Sequence, residues 1–270
     1  MCIRRVACVL LLLPLWLTAF AAPAAAGAFL EPPGEGEIIT ATSFSDTTRA
    51  FDASGKLLPV RSYKKFELGT YIEYGLTQRV TFVVKSQGDY VRQSGQAAPP
   101  LAASGDIGAR IGLVHWSNTV LSIQGLAHLP FGSDSQQSAL FDEDRAAGAD
   151  LRLLLGHGFA IHGMPAFLDV EASHTWRGAA MPQEWHADVT FGIRLLPQVL
   201  AILASYMTMA GNTAAGCRSW SDCWMAVKLQ PGVVYDFSRH WSGELSFFAT
   251  VAGQDEGREL GPMAALWYRF

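Results

Sequence analysis

Residues able to do chemistry recur at every second position along much of this chain. Lys65, Glu67 and Glu73 share one parity within residues 63–74, and Asp150 and Arg152 share one within 147–156. Lys85, Arg110, Asp169, Glu171, Asp188, Arg194, Lys228, Asp236 and Glu244 are placed in the same way, most of them between apolar neighbours. A spacing of two puts side chains on one face of a β-strand. A row carrying both signs can form a cross-strand ion-pair lattice. It can also line a solute pathway and set its selectivity. The spacing is compatible with both.

Other chemistries find little support. A hydrolase would bring a serine, a histidine and an orienting polar group together, and no G-x-S-x-G is present. The G-x-G-x-x-G and phosphate-loop patterns are absent too, so no catalytic residue and no cofactor are assigned. His157 and His162 lack a metal-ligand spacing, and His115, His174, His186 and His240 are scattered at strand ends as interfacial polar groups. No metal site is expected. Cys217 and Cys223 enclose the polar RSWSD stretch. In an oxidising compartment two such thiols form a disulfide. A two-cysteine metal site would need a His or carboxylate partner that the spacing does not supply.

The compartment is read from the start of the chain. Residues 1–26 carry Arg4 and Arg5, an apolar run from Val6 to Ala22, and an Ala24-x-Ala26 exit. That pattern is a secretory signal peptide, which leaves 27–270 as the mature domain. Pro14 within the run and the Ala-rich exit argue against a retained anchor. Cys2 and Cys8 lie before or inside the run, where no lipid-bearing N-terminus could form. Without Arg4 and Arg5, 18 of the 20 basic residues remain against 24 acidic, a mature charge of −6. Such a chain is not built to bind nucleic acid. Hydrophobic residues make up 50% and charged residues 16%, yet beyond the signal no uncharged run is long enough for a membrane helix. A chain apolar on average but alternating locally can face lipid on one side and water on the other.

The alternation then divides the mature chain. A Pro/Gly-rich stretch at 28–35 reads as an extended periplasmic lead-in. Strands are expected at 36–45, 63–74, 79–91, 105–116, 119–131 and 147–156, and again at 165–176, 185–195, 198–209, 222–236, 241–251 and 259–270. The strand at 198–209 is the most uniformly apolar, and Pro231-Gly232 marks a bulge. Links after even strands are mostly tight turns, with 157–164 as a mild exception; links after odd strands are mostly long and polar. Tyr63, Tyr90, Phe131, Trp176, Trp185 and Trp224 fall near one set of ends, and Tyr74, Trp116, Tyr235, Trp241 and Tyr268 near the other. Two aromatic girdles and alternating link lengths are the marks of a membrane barrel. The fold expected is all-β: a membrane-spanning up-and-down antiparallel barrel of about twelve strands.

The last strand closes it. Leu260, Ala264, Leu266, Tyr268 and Phe270 form its outward row, which should pair with 36–45 and with 241–251. Its ending, with Leu266, Tyr268 and the terminal Phe270, resembles the C-terminal signal strand of outer-membrane barrels. That resemblance implies recognition by the barrel-assembly machinery.

The stretches AGAFLEPPGEGEIITATSFS and SYKKFELGTYIEYGLTQRVTFVV resemble a group of proteobacterial outer-membrane proteins related to the phenol meta-degradation pathway transporter family. The resemblance is sharpest over 27–91. It implies passive passage of small, apolar or aromatic solutes through the outer membrane of a Gram-negative bacterium, with both termini periplasmic. Lipid and lipopolysaccharide would be the other partners. A surface-interaction barrel acting through its long loops, 132–146 above all, is the alternative, and an outer-membrane enzyme the third.

Overall fold

Period-two patterning sorts the side chains onto the two faces of one continuous sheet. In the computed structural model, which describes residues 27–93, 102–131, 147–178, 182–211 and 223–270, that sheet closes on itself. Its segments are β1 (Gly36–Phe51), β2 (Leu57–Thr77), β3 (Val80–Gln93), β4 (Ala102–Trp116), β5 (Thr119–Phe131), β6 (Gly148–Ile161) and β7 (Met164–Arg177). They continue as β8 (Glu184–Leu196), β9 (Val199–Gly211), β10 (Cys223–Asp236), β11 (Trp241–Gln254), the two-residue β12 (Glu256–Gly257) and β13 (Leu260–Arg269). Each long strand pairs antiparallel with its sequence neighbours, and β13 pairs both with β11 (Trp241↔Tyr268) and with β1 (Glu37↔Arg269). The result is a closed twelve-stranded barrel with no free edge, in which β12 extends the seam beside β1 at Ala50↔Gly257.

The outward rows carry the apolar band. Phe66 and Leu68 of β2, Ile107 and Ile111 of β4, Leu151 and Leu153 of β6, Leu203 of β9 and Leu245 of β11 are all exposed. Water would not stabilise so many exposed branched side chains around a barrel girth; lipid does. Tyr74, Phe270 and Tyr268 stack at one end of the band, next to Trp241. Trp176 and Trp185 flank His174 at the other.

Five tight links lie at one end of the barrel. The expected exception at 157–164 disappears, because β6 runs on to Ile161 and closes through His162-Gly163, both with positive φ. That is the backbone of a two-residue hairpin turn matched to strand twist. The links within 94–101, 132–146, 179–181 and 212–222 lie outside the described residues, and Cys217 lies among them.

Three expectations need correction. The stretch 46–62 is not a loop: β1 and β2 continue as a paired hairpin, with a register shift between Thr47 and Arg49. Its tip is the Asp52–Lys56 turn, where Asp52 accepts bonds from Ser54 and from the Lys56 amide. Beyond the membrane both faces meet water, so the alternation fades while pairing persists. Pro231 produces no bulge. The β10–β11 register is the same on both sides of it, and the shift falls at Val227/Lys228 instead. Tyr63 and Trp224 are not girdle residues: Tyr63 points inward, where a Cβ on Gly257 would meet its hydroxyl, and the register sets Trp224 opposite buried Ala210.

Candidate functional site: the barrel interior

The inward rows bring the sequence-selected charges together in tiers. Toward the long-link end, Lys65 bridges Glu67 at 2.8 Å and approaches Glu259, whose carboxylate also takes Lys228 at 2.5 Å. Across the lumen Arg177 pairs with Glu184, and His128 with Asp106. At mid-height Arg152 is the hub, 2.5 Å from Glu171, 2.8 Å from Asp188 and 3.7 Å from Asp150. Lys85 stands over the Tyr71 ring. Nearer the short-turn end Arg110, 1% exposed, holds Glu73 at 2.6 Å and bonds Gln124 and Tyr71. At the rim Arg194 pairs with Asp236, and Arg269 reaches both Asp236 and Glu37. Among the described residues Glu244 pairs with no cation. Its carboxylate accepts the Trp267 indole N–H.

Two features of the interior are not evident from the charged residues. The first is the lead-in, which does not stay below the barrel. The Ala28 amide donates to Asp169 Oδ2 at 2.6 Å, and Ser122 Oγ donates to the Ala28 carbonyl at 2.6 Å. Arg110 Nη1 donates to the Phe29 carbonyl at 2.8 Å, and the Glu31 amide donates to Thr81 Oγ1. Four strands thus satisfy the backbone of one irregular segment, which buried polar groups require. Room for its side chains comes from absent ones: a Cβ on Gly156 would meet the Phe29 ring, and one on Gly112 would meet Leu30.

The second is an inward-facing apolar cluster. Phe167, Leu200, Val234, Ala265 and Trp267 pack together, with Ile39, Ala41, Ile202 and Met263 against them. The uniformly apolar strand at 198–209 was the available signal, since one of its faces meets lipid and the other must then find apolar partners inside. Together with the lead-in, this cluster narrows the short-turn half of the lumen, which keeps a cavity of about 470 Å³ between Phe29, Leu30, Arg79, His115 and Val120. Toward the other half a cavity of about 230 Å³ lies between Tyr206, Lys228, Gln230, Phe248 and Met263. A second of about 230 Å³ is lined by Lys85, Asp106, Asp150, Arg152 and Glu184. Among the described residues no cluster of His, Cys, Asp and Glu could hold a metal ion.

Solved structures share this architecture. The chain is similar to the COG4313 outer membrane channel from Pseudomonas putida F1, with TM-score 0.73, 14% identity, and 92% of this chain and 99% of that chain covered. It is also similar to the NanC porin, with TM-score 0.54, 6% identity and coverage of 85% and 98%. The translocator domain of the autotransporter NalP from Neisseria meningitidis follows, with TM-score 0.52, 11% identity and coverage of 89% and 90%. What they share is the fold. No protein-family model matches the sequence, and no curated protein does.

Proposed function

We propose that this barrel is an outer-membrane passive channel or facilitator for small solutes, apolar and aromatic ones among them. The observation that carries the reading is the divided lumen. Mixed charges line an outer half with two cavities, and an apolar floor of Phe167, Leu200, Val234 and Trp267 lies beneath. A small solute with an apolar body meets polar groups first and matching surface next. In the same proposal Lys65, Glu67, Glu73, Lys85, Arg110, Asp150, Arg152, Glu171, Asp188, Arg194, Lys228 and Glu244 line or stabilise the pathway. Both termini are periplasmic, and a Cys217–Cys223 disulfide pins the link entering β10. Counting free thiols in the denatured protein should give none for that pair, and two if it is reduced.

The test of transport is conductance of the purified protein in planar bilayers, with and without small aromatic solutes. Solute-dependent conductance is expected; a sealed, solute-blind barrel would remove the reading. The narrowing of the short-turn half by the lead-in and the apolar cluster favours one rival, a barrel that acts through its external links and does not conduct. Loss of function on deleting 132–146, with conductance unchanged, would select that rival.

A further inference from the structure

The Asp169 carboxylate is 1% exposed, and no cationic side chain among the described residues lies within ion-pair distance of it. Its neighbours are otherwise accounted for. Arg152 is engaged by Glu171 and Asp188, and Arg110 by Glu73 and the Phe29 carbonyl. Glu171 hydrogen-bonds Asp169, so the two carboxyls must share a proton as long as no cation joins them. A cation brought beside the pair would take over that proton's role and let both carboxyls ionise.

The group aimed at it is the first stretch of the mature chain. The Ala28 amide donates to Asp169 Oδ2, and a Cβ on Gly27 would overlap the same carboxyl. Standard bond lengths then put the Gly27 nitrogen within about 5 Å of both Asp169 oxygens. The Ala24-x-Ala26 pattern sets the scissile bond immediately before Gly27. Hydrolysis of the Ala26–Gly27 amide by a signal-processing protease consumes one water. The departing peptide keeps the Ala26 carboxyl, and Gly27 keeps the amine, which takes up a proton.

We propose that Asp169 is the lumenal receptor for the chain's own new amino terminus: processing creates the Gly27 α-ammonium, and its pairing with Asp169 seats the lead-in inside the barrel. Before cleavage that nitrogen is a neutral amide and has no charge to offer. Glycine at position 27 is then a requirement of the close approach, since any larger residue would displace the carboxylate. Asp169 acts here as a positioning residue, holding the segment that narrows the short-turn half.

The experiment uses the full-length protein, processed in cells and purified from outer membranes. N-terminal sequencing should return Gly27 as the first residue. An amine-reactive ester at neutral pH then probes the terminus, because α-amines lose their proton well before lysines. Mass spectrometry of the N-terminal peptide should show labelling roughly tenfold slower in the folded protein than after denaturation, the effect of about one pKa unit of stabilised ammonium or more. Asp169→Asn should restore most of that reactivity in a barrel whose heat-modifiable migration is unchanged. Gly27→Ala, which leaves the barrel wall intact, should do the same if Asp169→Asn does not assemble. A mature chain that starts elsewhere, or equal labelling in folded wild type and either variant, would overturn the proposal. Neither readout depends on whether the barrel conducts.

Discussion

Arg110 is the residue on which the interior most depends. Its guanidinium joins β2, β4 and β5 to the lead-in through Glu73, Gln124 and the Phe29 carbonyl. Removing one member of a buried pair leaves the other charged and unpartnered, which costs about 3 to 5 kcal/mol. Arg110→Met should therefore lower the denaturant midpoint of the detergent-refolded barrel sharply, while Arg110→Met with Glu73→Gln should recover much of the loss. Glu31, outside the spanning strands, makes the opposite case. Burial first, and then the Glu73 carboxylate, push its pKa up from 4.5 to about 7, with Glu37 and Glu35 adding to the rise and Arg110 opposing it. A raised carboxylate favours the protonated form in the seated state, so seating is strongest below about pH 4.5 and weakens until about pH 7. A nitroxide at Pro33→Cys should become more mobile between pH 5 and pH 8, and adding Glu31→Gln should flatten that change.

At the scale of elements, β13 closes the barrel with hydrogen bonds on both sides. Phe270 exchanges backbone bonds of 3.0 Å with Gly36, and its ring stacks on Tyr268 and Tyr74. We propose that this end, with Leu266 and Tyr268, is what the barrel-assembly machinery engages. Phe270→Asp should cut the folded fraction in outer membranes several-fold, read by heat-modifiable migration, and leave the conductance of the assembled molecules unchanged. Normal assembly would separate closure from recognition. The same strand shows what was legible in advance. Leu260, Leu266 and Tyr268 alternate against lipid, and lipid enforces that pattern, so strand number and the two pairings of β13 followed from it. Trp267, one residue out of that row and only 4% exposed, faces the apolar cluster, where no periodicity separates a packed side chain from a lumen-lining one. Pairing outlasts patterning beyond the membrane, which is why the β1–β2 hairpin read as a loop. The lead-in was opaque for a further reason. Its place depends on Thr81, Arg110, Ser122 and Asp169, four residues distant in sequence whose convergence exists only after the barrel closes.

For the whole molecule, these features make an asymmetric tube. From β2 to β8 the interior is a charge network centred on Arg110 and Arg152, and the lead-in is bound to β3, β4, β5 and β7 of that wall. From β9 round to β1 the wall carries the apolar cluster, joined by Phe167 of β7, above a rim held by Asp236, Arg269 and Glu37. A solute crossing the barrel must displace the lead-in, slip between it and the apolar cluster, or stop in the outer cavities. Deleting residues 28–31 distinguishes these routes, because it removes the occluding segment and leaves all twelve strands and both halves of the wall. Arg110 keeps Glu73 and Gln124, so the variant should assemble. If the lead-in is the resistance, single-channel conductance should rise several-fold and discrimination between charged and aromatic solutes should weaken. If conductance is unchanged while aromatic solutes still alter it, the route follows the apolar side, and Phe167, Leu200 and Trp267 set selectivity. A barrel that stays sealed without its lead-in would mean that the side chains alone close the lumen, and the channel reading would give way to the surface-interaction one.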